Sequence, residues 1–104
     1  MYYYEVTGYV YRCSEKIPQL YEIAPTDDFD VEILIENVPD EISVEVKKMP
    51  DIPYFYWTSE YVWLHNIYGL FAVYKSGKIY LQASDSENKL ILLQFVLGYG
   101  IAMY

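Results

Sequence analysis

Residues 70–83 read Leu-Phe-Ala-Val-Tyr, then Lys75-Ser76-Gly77, then Lys-Ile-Tyr-Leu-Gln-Ala. Two runs of β-branched, aromatic and aliphatic residues divided by a short Gly-containing linker specify an antiparallel hairpin. This is the firmest local assignment in the chain, and it makes the fold a sheet-forming one.

Further strands follow from the same period-two logic. Met1 to Arg12 reads as one bent strand, with Tyr2, Tyr4 and Val6 on one face, Tyr3, Glu5 and Thr7 on the other, and Gly8 marking a bulge or kink. Ile17 to Pro25, bracketed by Pro18 and Pro25, is an extended connector whose Leu20, Tyr21 and Ile23 close one edge of the core. Val31, Ile33 and Ile35 alternate with Glu32, Leu34 and Glu36 before a turn at Asn37 to Asp40. The alternation of Ile42, Val44 and Val46 with Ser43, Glu45 and Lys47 predicts another strand, ended by the Pro50 to Pro53 break. Tyr54 to Trp57 and Tyr61 to Ile67 form two aromatic strands, or one interrupted strand, around a turn at Thr58 to Glu60.

The period then changes. Ser84-Asp85-Ser86-Glu87 has the form of a capping box, in which a serine caps the third amide and a glutamate reaches back. From Leu90 to Tyr104 the chain is apolar on every side of a helix, including Leu93 and Leu97. About 15 residues fall short of the roughly 20 that span a bilayer, and Gly98 and Gly100 weaken the helix, so a membrane is not the expected partner. The expected fold is α+β: an antiparallel sheet of five to seven strands with one C-terminal apolar helix packed on it, in a single domain over residues 1–104.

Composition bounds the function. The chain is 54% hydrophobic with 14 tyrosines, which excludes disorder. Its net charge of -8 argues against nucleic acid as a partner, since phosphates require Lys and Arg. All of that charge lies in residues 1–52, with 12 acids and 4 bases, while residues 53–104 hold 3 of each. An acidic, solvated part thus stands beside an aromatic, nearly uncharged part that either forms the core or covers something. A lone Cys13 and the lack of a basic-then-apolar leader make the cytoplasm the expected compartment.

Chemistry-bearing constellations are sparse, and no catalytic, cofactor-binding or metal-binding residue is expected. His65 is the only histidine and has no Cys or second His near it in sequence, so a packed or rim role outweighs a metal site. Asp27, Asp28, Asp30 and Glu32 lack the Gly and terminal Glu of a calcium loop and read as a solvated turn. Ser76-Gly77-Lys78 lacks the upstream Gly of a phosphate loop. The most suggestive surface is aromatic. Tyr54, Tyr56, Trp57, Tyr61 and Trp63, with Leu93 and Leu97, form the expected interaction surface. Because strand residues alternate, an exposed row would contain either Tyr54 and Tyr56 or Phe55 and Trp57.

Taken in order, the Tyr-rich first strand, Ser14-Glu15-Lys16-Ile17-Pro18-Gln19-Leu20, Asp30-Val31-Glu32-Ile33, Val38-Pro39, the hairpin from Leu70 to Leu81 and the closing apolar helix resemble the region before the kinase domain in HPr-kinase-like proteins. These are P-loop serine kinases related to PEP carboxykinase. The resemblance implies a non-catalytic N-terminal accessory domain cut from a longer chain, whose parent is an ATP-dependent serine kinase. It implies a role in subunit assembly or in positioning a protein or peptide substrate. Its partners would be the C-terminal kinase domain or a second copy. The other expectation is a free-standing dimeric ligand- or protein-binding module that uses exposed aromatic strands; a chain continuing into a membrane and an enzyme acting alone rank below both.

Overall fold

The computed structural model describes residues 1–6, 8–17, 20–89 and 91. Seven strands are formed among them: β1 (Tyr2–Val6), β2 (Tyr9–Cys13), β3 (Val31–Leu34), β4 (Tyr54–Trp57), β5 (Tyr61–Asn66), β6 (Gly69–Tyr74) and β7 (Lys78–Ala83). The one bent strand expected over Met1 to Arg12 is instead an antiparallel hairpin, β1–β2, because Gly8, at φ 85°, reverses the chain where only a kink was expected. They make one sheet in the order β1-β2-β3-β7-β6-β5-β4. The class is α+β as expected, but the sheet is mixed: β3 runs parallel to both β2 and β7, and the other neighbours are antiparallel. Local alternation predicts strands without saying which non-consecutive ones pair, and a parallel pair needs a long crossover that leaves no turn signal.

The expected hairpin is β6–β7. Gly77 holds φ at 99°, and its amide donates to the Tyr74 carbonyl at 2.9 Å, closing the three-residue link. β6 is the central strand of the second half. Gly69 through Val73 are all buried, so both faces are apolar and the strand reads as a continuous hydrophobic run. Gly69 has a further reason to be glycine. At φ +140° a Cβ would lie 2.4 Å from the Gln82 carbonyl oxygen of the adjacent strand.

Residues 40–48 are a helix, not the strand that their alternation predicts. α1 (Asp40–Lys48) follows Pro39, carries Asp40 and Glu41 in its first turn and Lys47 and Lys48 in its last, and so complements the helix dipole at both ends. A second apolar set, Val38, Ile42, Val46 and Met49, repeats at helical spacing and lies against the sheet. Ile42 is fully buried, whereas Val44, counted in the alternating set, is half exposed. Two periods overlap in one stretch, and the dipole-matched ends together with the buried stripe favour the helix. The turn after β7 also differs from expectation. Asp85, not Ser84, is the cap: its Oδ1 accepts from the amides of Glu87 and Asn88 at 2.9 and 3.0 Å, starting a single 3-10 turn at Ser86–Asn88. The apolar helix expected over Leu90 to Tyr104 lies outside the described residues.

Each face of the sheet has its own core. On one, Tyr4, Tyr11, Cys13, Val31, Ile33 and Phe71 are buried with Ile79 and Leu81. The connector closes its edge only in part: Leu20 packs against this core and Ile23 is half-buried, whereas Tyr21, expected beside them, is 95% exposed. Ile17 is buried, and its amide donates to the hydroxyl of Tyr4 at 2.8 Å, while the amide of Ile23 donates to the Tyr3 carbonyl. On the other face, α1 covers Trp63, Leu70 and Ala72. Among the described residues no helix is long and apolar enough to cross a membrane.

Candidate functional site

The aromatic segments β4 and β5 form an antiparallel pair that aligns Tyr54 with His65, Phe55 with Leu64, Tyr56 with Trp63 and Trp57 with Val62. Alternation therefore sends Tyr54, Tyr56, Tyr61 and Trp63 to the face under α1, and Phe55 and Trp57 to the opposite face. The surface residues expected from sequence are thus divided between two environments.

Those under α1 are mostly structural. Trp63 is fully buried and sits between Tyr54 and Tyr56, at ring-centroid distances of 5.7 and 5.8 Å. It is a core anchor, not the exposed contact residue expected, because its position on β5 lies opposite the helix. The row continues through Tyr61, Tyr74 and Tyr80, with centroid spacings of 5.4 and 5.8 Å. α1 presents two carboxylates to it. Glu45 Oε1 accepts from the hydroxyl of Tyr61 at 2.7 Å and from Trp63 Nε1 at 3.2 Å. Glu41 Oε1 accepts from the hydroxyl of Tyr74 at 2.6 Å.

These contacts fix the protonation of the phenols. The Tyr61 phenol is pushed up to about 12, first by its hydrogen bond to Glu45 and then by burial. The Tyr74 phenol is raised by burial and by its bond to Glu41. Phenols held neutral in this way donate hydrogen bonds at neutral pH and do not act as bases or nucleophiles. The cluster fastens helix to sheet. The sequence reading misses Glu41 and Glu45 as partners, although their four-residue spacing puts both on one face of a helix.

The opposite row reaches solvent. β4 is an edge strand, with β5 on one side and no strand on the other among the described residues. Trp57 is 68% exposed and Phe55 41% exposed, with ring centroids 5.4 Å apart. Of the two rows that alternation offers, the exposed one is Phe55 and Trp57. No charge or proline within Tyr54–Trp57 blunts the edge. Beside the pair, Phe55, Val62 and Val73 floor a groove of about 300 Å³ whose rim includes Thr58, Glu60 and Lys75. An aromatic pair, an open strand edge and an adjoining groove together suit an extended peptide or a protein surface.

The remaining expected positions contribute less. Leu93 and Leu97 lie outside the described residues. Cys13 is buried, and desolvation raises its thiol pKa, the direction opposite to that of a reactive cysteine. Among the described residues no three His, Cys, Asp or Glu side chains gather closely enough to hold a metal ion. Asp30 is engaged locally: its carboxylate accepts from the Val10 amide at 2.8 Å, and its own amide donates back to the Val10 carbonyl. The chain is an α+β domain built on a mixed seven-stranded sheet. No family model, curated protein or solved structure matches it.

Proposed function

We propose that this chain is the non-catalytic N-terminal domain of an HPr-kinase-like serine kinase, acting in the cytoplasm to assemble subunits or to position the protein substrate. The observation that carries the reading is where the resembling segments fall. Residues 30–33 and 70–81 supply β3, β6 and β7, three neighbouring strands at the middle of one sheet. A shared order of segments that also forms a contiguous structural unit is better support than the same segments scattered over a surface. In this reading the docking element is the β4 edge with Phe55 and Trp57, and the phosphoryl-transfer machinery belongs to the kinase domain.

The test uses the product of the whole reading frame. Deleting residues 1–104 is expected to lower the rate of serine phosphorylation on a protein substrate, or to change subunit stoichiometry, while MgATP hydrolysis by the kinase domain persists. Phosphoryl transfer catalysed by residues 1–104 alone would contradict it.

The exposed Phe55–Trp57 pair on an unblunted edge also favours a second reading, a free-standing module that pairs with a second copy or another protein. Light scattering separates the two, because a strict monomer at high concentration rules out self-pairing.

A further inference from the structure

A cleft of about 470 Å³ opens between the last turns of α1 and the ends of β5, β6 and β7. That volume lies within the range of roughly 300–1,000 Å³ typical of small-molecule sites. Its polar lining comes from Ser43, Lys47, His65, Asn66, Gln82 and Ser84. No Asp or Glu lines it, in a chain that holds 15 of them. The groove beside Phe55 includes Glu60, and a third cleft, near Ile35, includes Glu36 and Asp85.

The hydrogen bonding of this lining leaves donors free. Asn66 Oδ1 accepts from the Tyr68 amide at 2.9 Å, and Gln82 Oε1 accepts from the Val38 amide at 3.0 Å. With both carboxamide oxygens engaged by backbone N–H groups, the orientation of each amide is set and its NH₂ end is the part left for a ligand. Lys47 has no ion-pair partner among the described residues. His65 Nδ1 is buried and has no hydrogen-bond partner there. Ser43 adds a hydroxyl, which can donate or accept.

We infer that this cleft binds a small oxyanion-bearing molecule, one carrying a carboxylate or a phosphoryl group. Fixed amide donors and an unpaired ammonium select for acceptor oxygens, and the absence of carboxylates from the lining selects for negative charge. The site is independent of the aromatic edge and of the kinase reading, since it shares no residue with β4.

Amide-resolved NMR titration of the 104-residue chain tests it, with inorganic phosphate in one arm and acetate in the other, at constant ionic strength. At least one anion is expected to give saturable shifts confined to residues 43–47, 65–69 and 82–84. Saturation by phosphate alone assigns a phosphoryl ligand, and saturation by acetate alone assigns a carboxylate. Lys47→Glu is expected to raise the Kd about tenfold or more, the size of losing one charge-assisted hydrogen bond. Lys16→Glu, at an exposed position outside all three clefts, leaves it unchanged, and the spectra themselves report whether each variant is folded. Linear, unsaturating shifts with both anions, or equal responses in the wild-type and Lys47→Glu chains, overturn the assignment.

Discussion

The hydroxyl of Tyr74 on β6 donates to Glu41 on the first turn of α1 at 2.6 Å, joining residues 33 positions apart. With the bonds from Tyr61 and Trp63 to Glu45, it shows what the uneven charge of the chain accomplishes. The acidic first part does not simply solvate one end of the molecule; two of its carboxylates face the aromatic second part and accept its donors.

The two carboxylates should differ in worth. Trp63 is fully buried, so Glu45→Ala leaves its Nε1 without an acceptor and is expected to cost about 1–3 kcal/mol. The Tyr74–Glu41 bond is exposed to solvent, where water replaces a lost acceptor, and Glu41→Ala should cost less than about 1 kcal/mol. Urea unfolding of the two variants gives the comparison. Equal losses would mean that burial does not govern these bonds.

The same contacts set an alkaline limit. The folded Tyr61 phenol, at about 12, lies above the ordinary 10.0, so the stability it contributes is fully present below pH 10 and is lost as pH rises through about 12. Tyr74 and Tyr4 are raised as well, chiefly by burial, and act in the same direction. Denaturation midpoints should therefore fall on going from pH 10 to pH 12, and less steeply in Tyr61→Phe. A midpoint that is flat across this window in the parent chain contradicts the assignment of these bonds.

The two tryptophans should behave as opposites. Trp63→Ala empties a fully buried site and is expected to cost about 3–5 kcal/mol, enough to unfold many domains of this size. Trp57→Ser changes a side chain that is 68% exposed and should alter stability by no more than about 0.5 kcal/mol, while weakening association through the β4 edge. Fluorescence quenching by iodide in the parent should reach Trp57 and spare Trp63.

Two glycines make a matched pair of tests. Around Gly8 (φ +85°) a methyl group would meet no atom within 4 Å, so Gly8→Ala bears only the left-handed backbone cost of about 1–2 kcal/mol. Gly69→Ala adds contacts of 2.4 and 2.8 Å with the backbone of Gln82 and Ala83, which cannot move without breaking the β6–β7 ladder. Thermal unfolding should rank Gly69→Ala well below Gly8→Ala.

Strands are legible wherever one local signal acts alone. The Lys75-Ser76-Gly77 link and the β6 and β7 runs on either side of it can be read directly because turn chemistry and period agree. Residues 40–48 mislead because Ile42, Val44 and Val46 match a strand while Val38, Ile42, Val46 and Met49 match a helix, and the dipole-matched ends together with burial against Trp63 and Leu70 separate the two. The parallel neighbours β2, β3 and β7 are illegible because pairing of distant strands is decided by the whole sheet. At the aromatic site, alternation correctly offers two rows, but which one meets solvent depends on which face α1 covers. The oxyanion cleft leaves no sequence signal, since Lys47, His65 and Gln82 are brought together only by the fold.

The central claim, that this domain serves a serine kinase of the HPr-kinase-like kind, is tested most directly by sequencing the reading frame that encodes it. The account predicts an in-frame G-x-x-x-x-G-K-[ST] phosphate loop downstream of residue 104. A stop codon directly after Tyr104, with no phosphate loop in the frame, would contradict it.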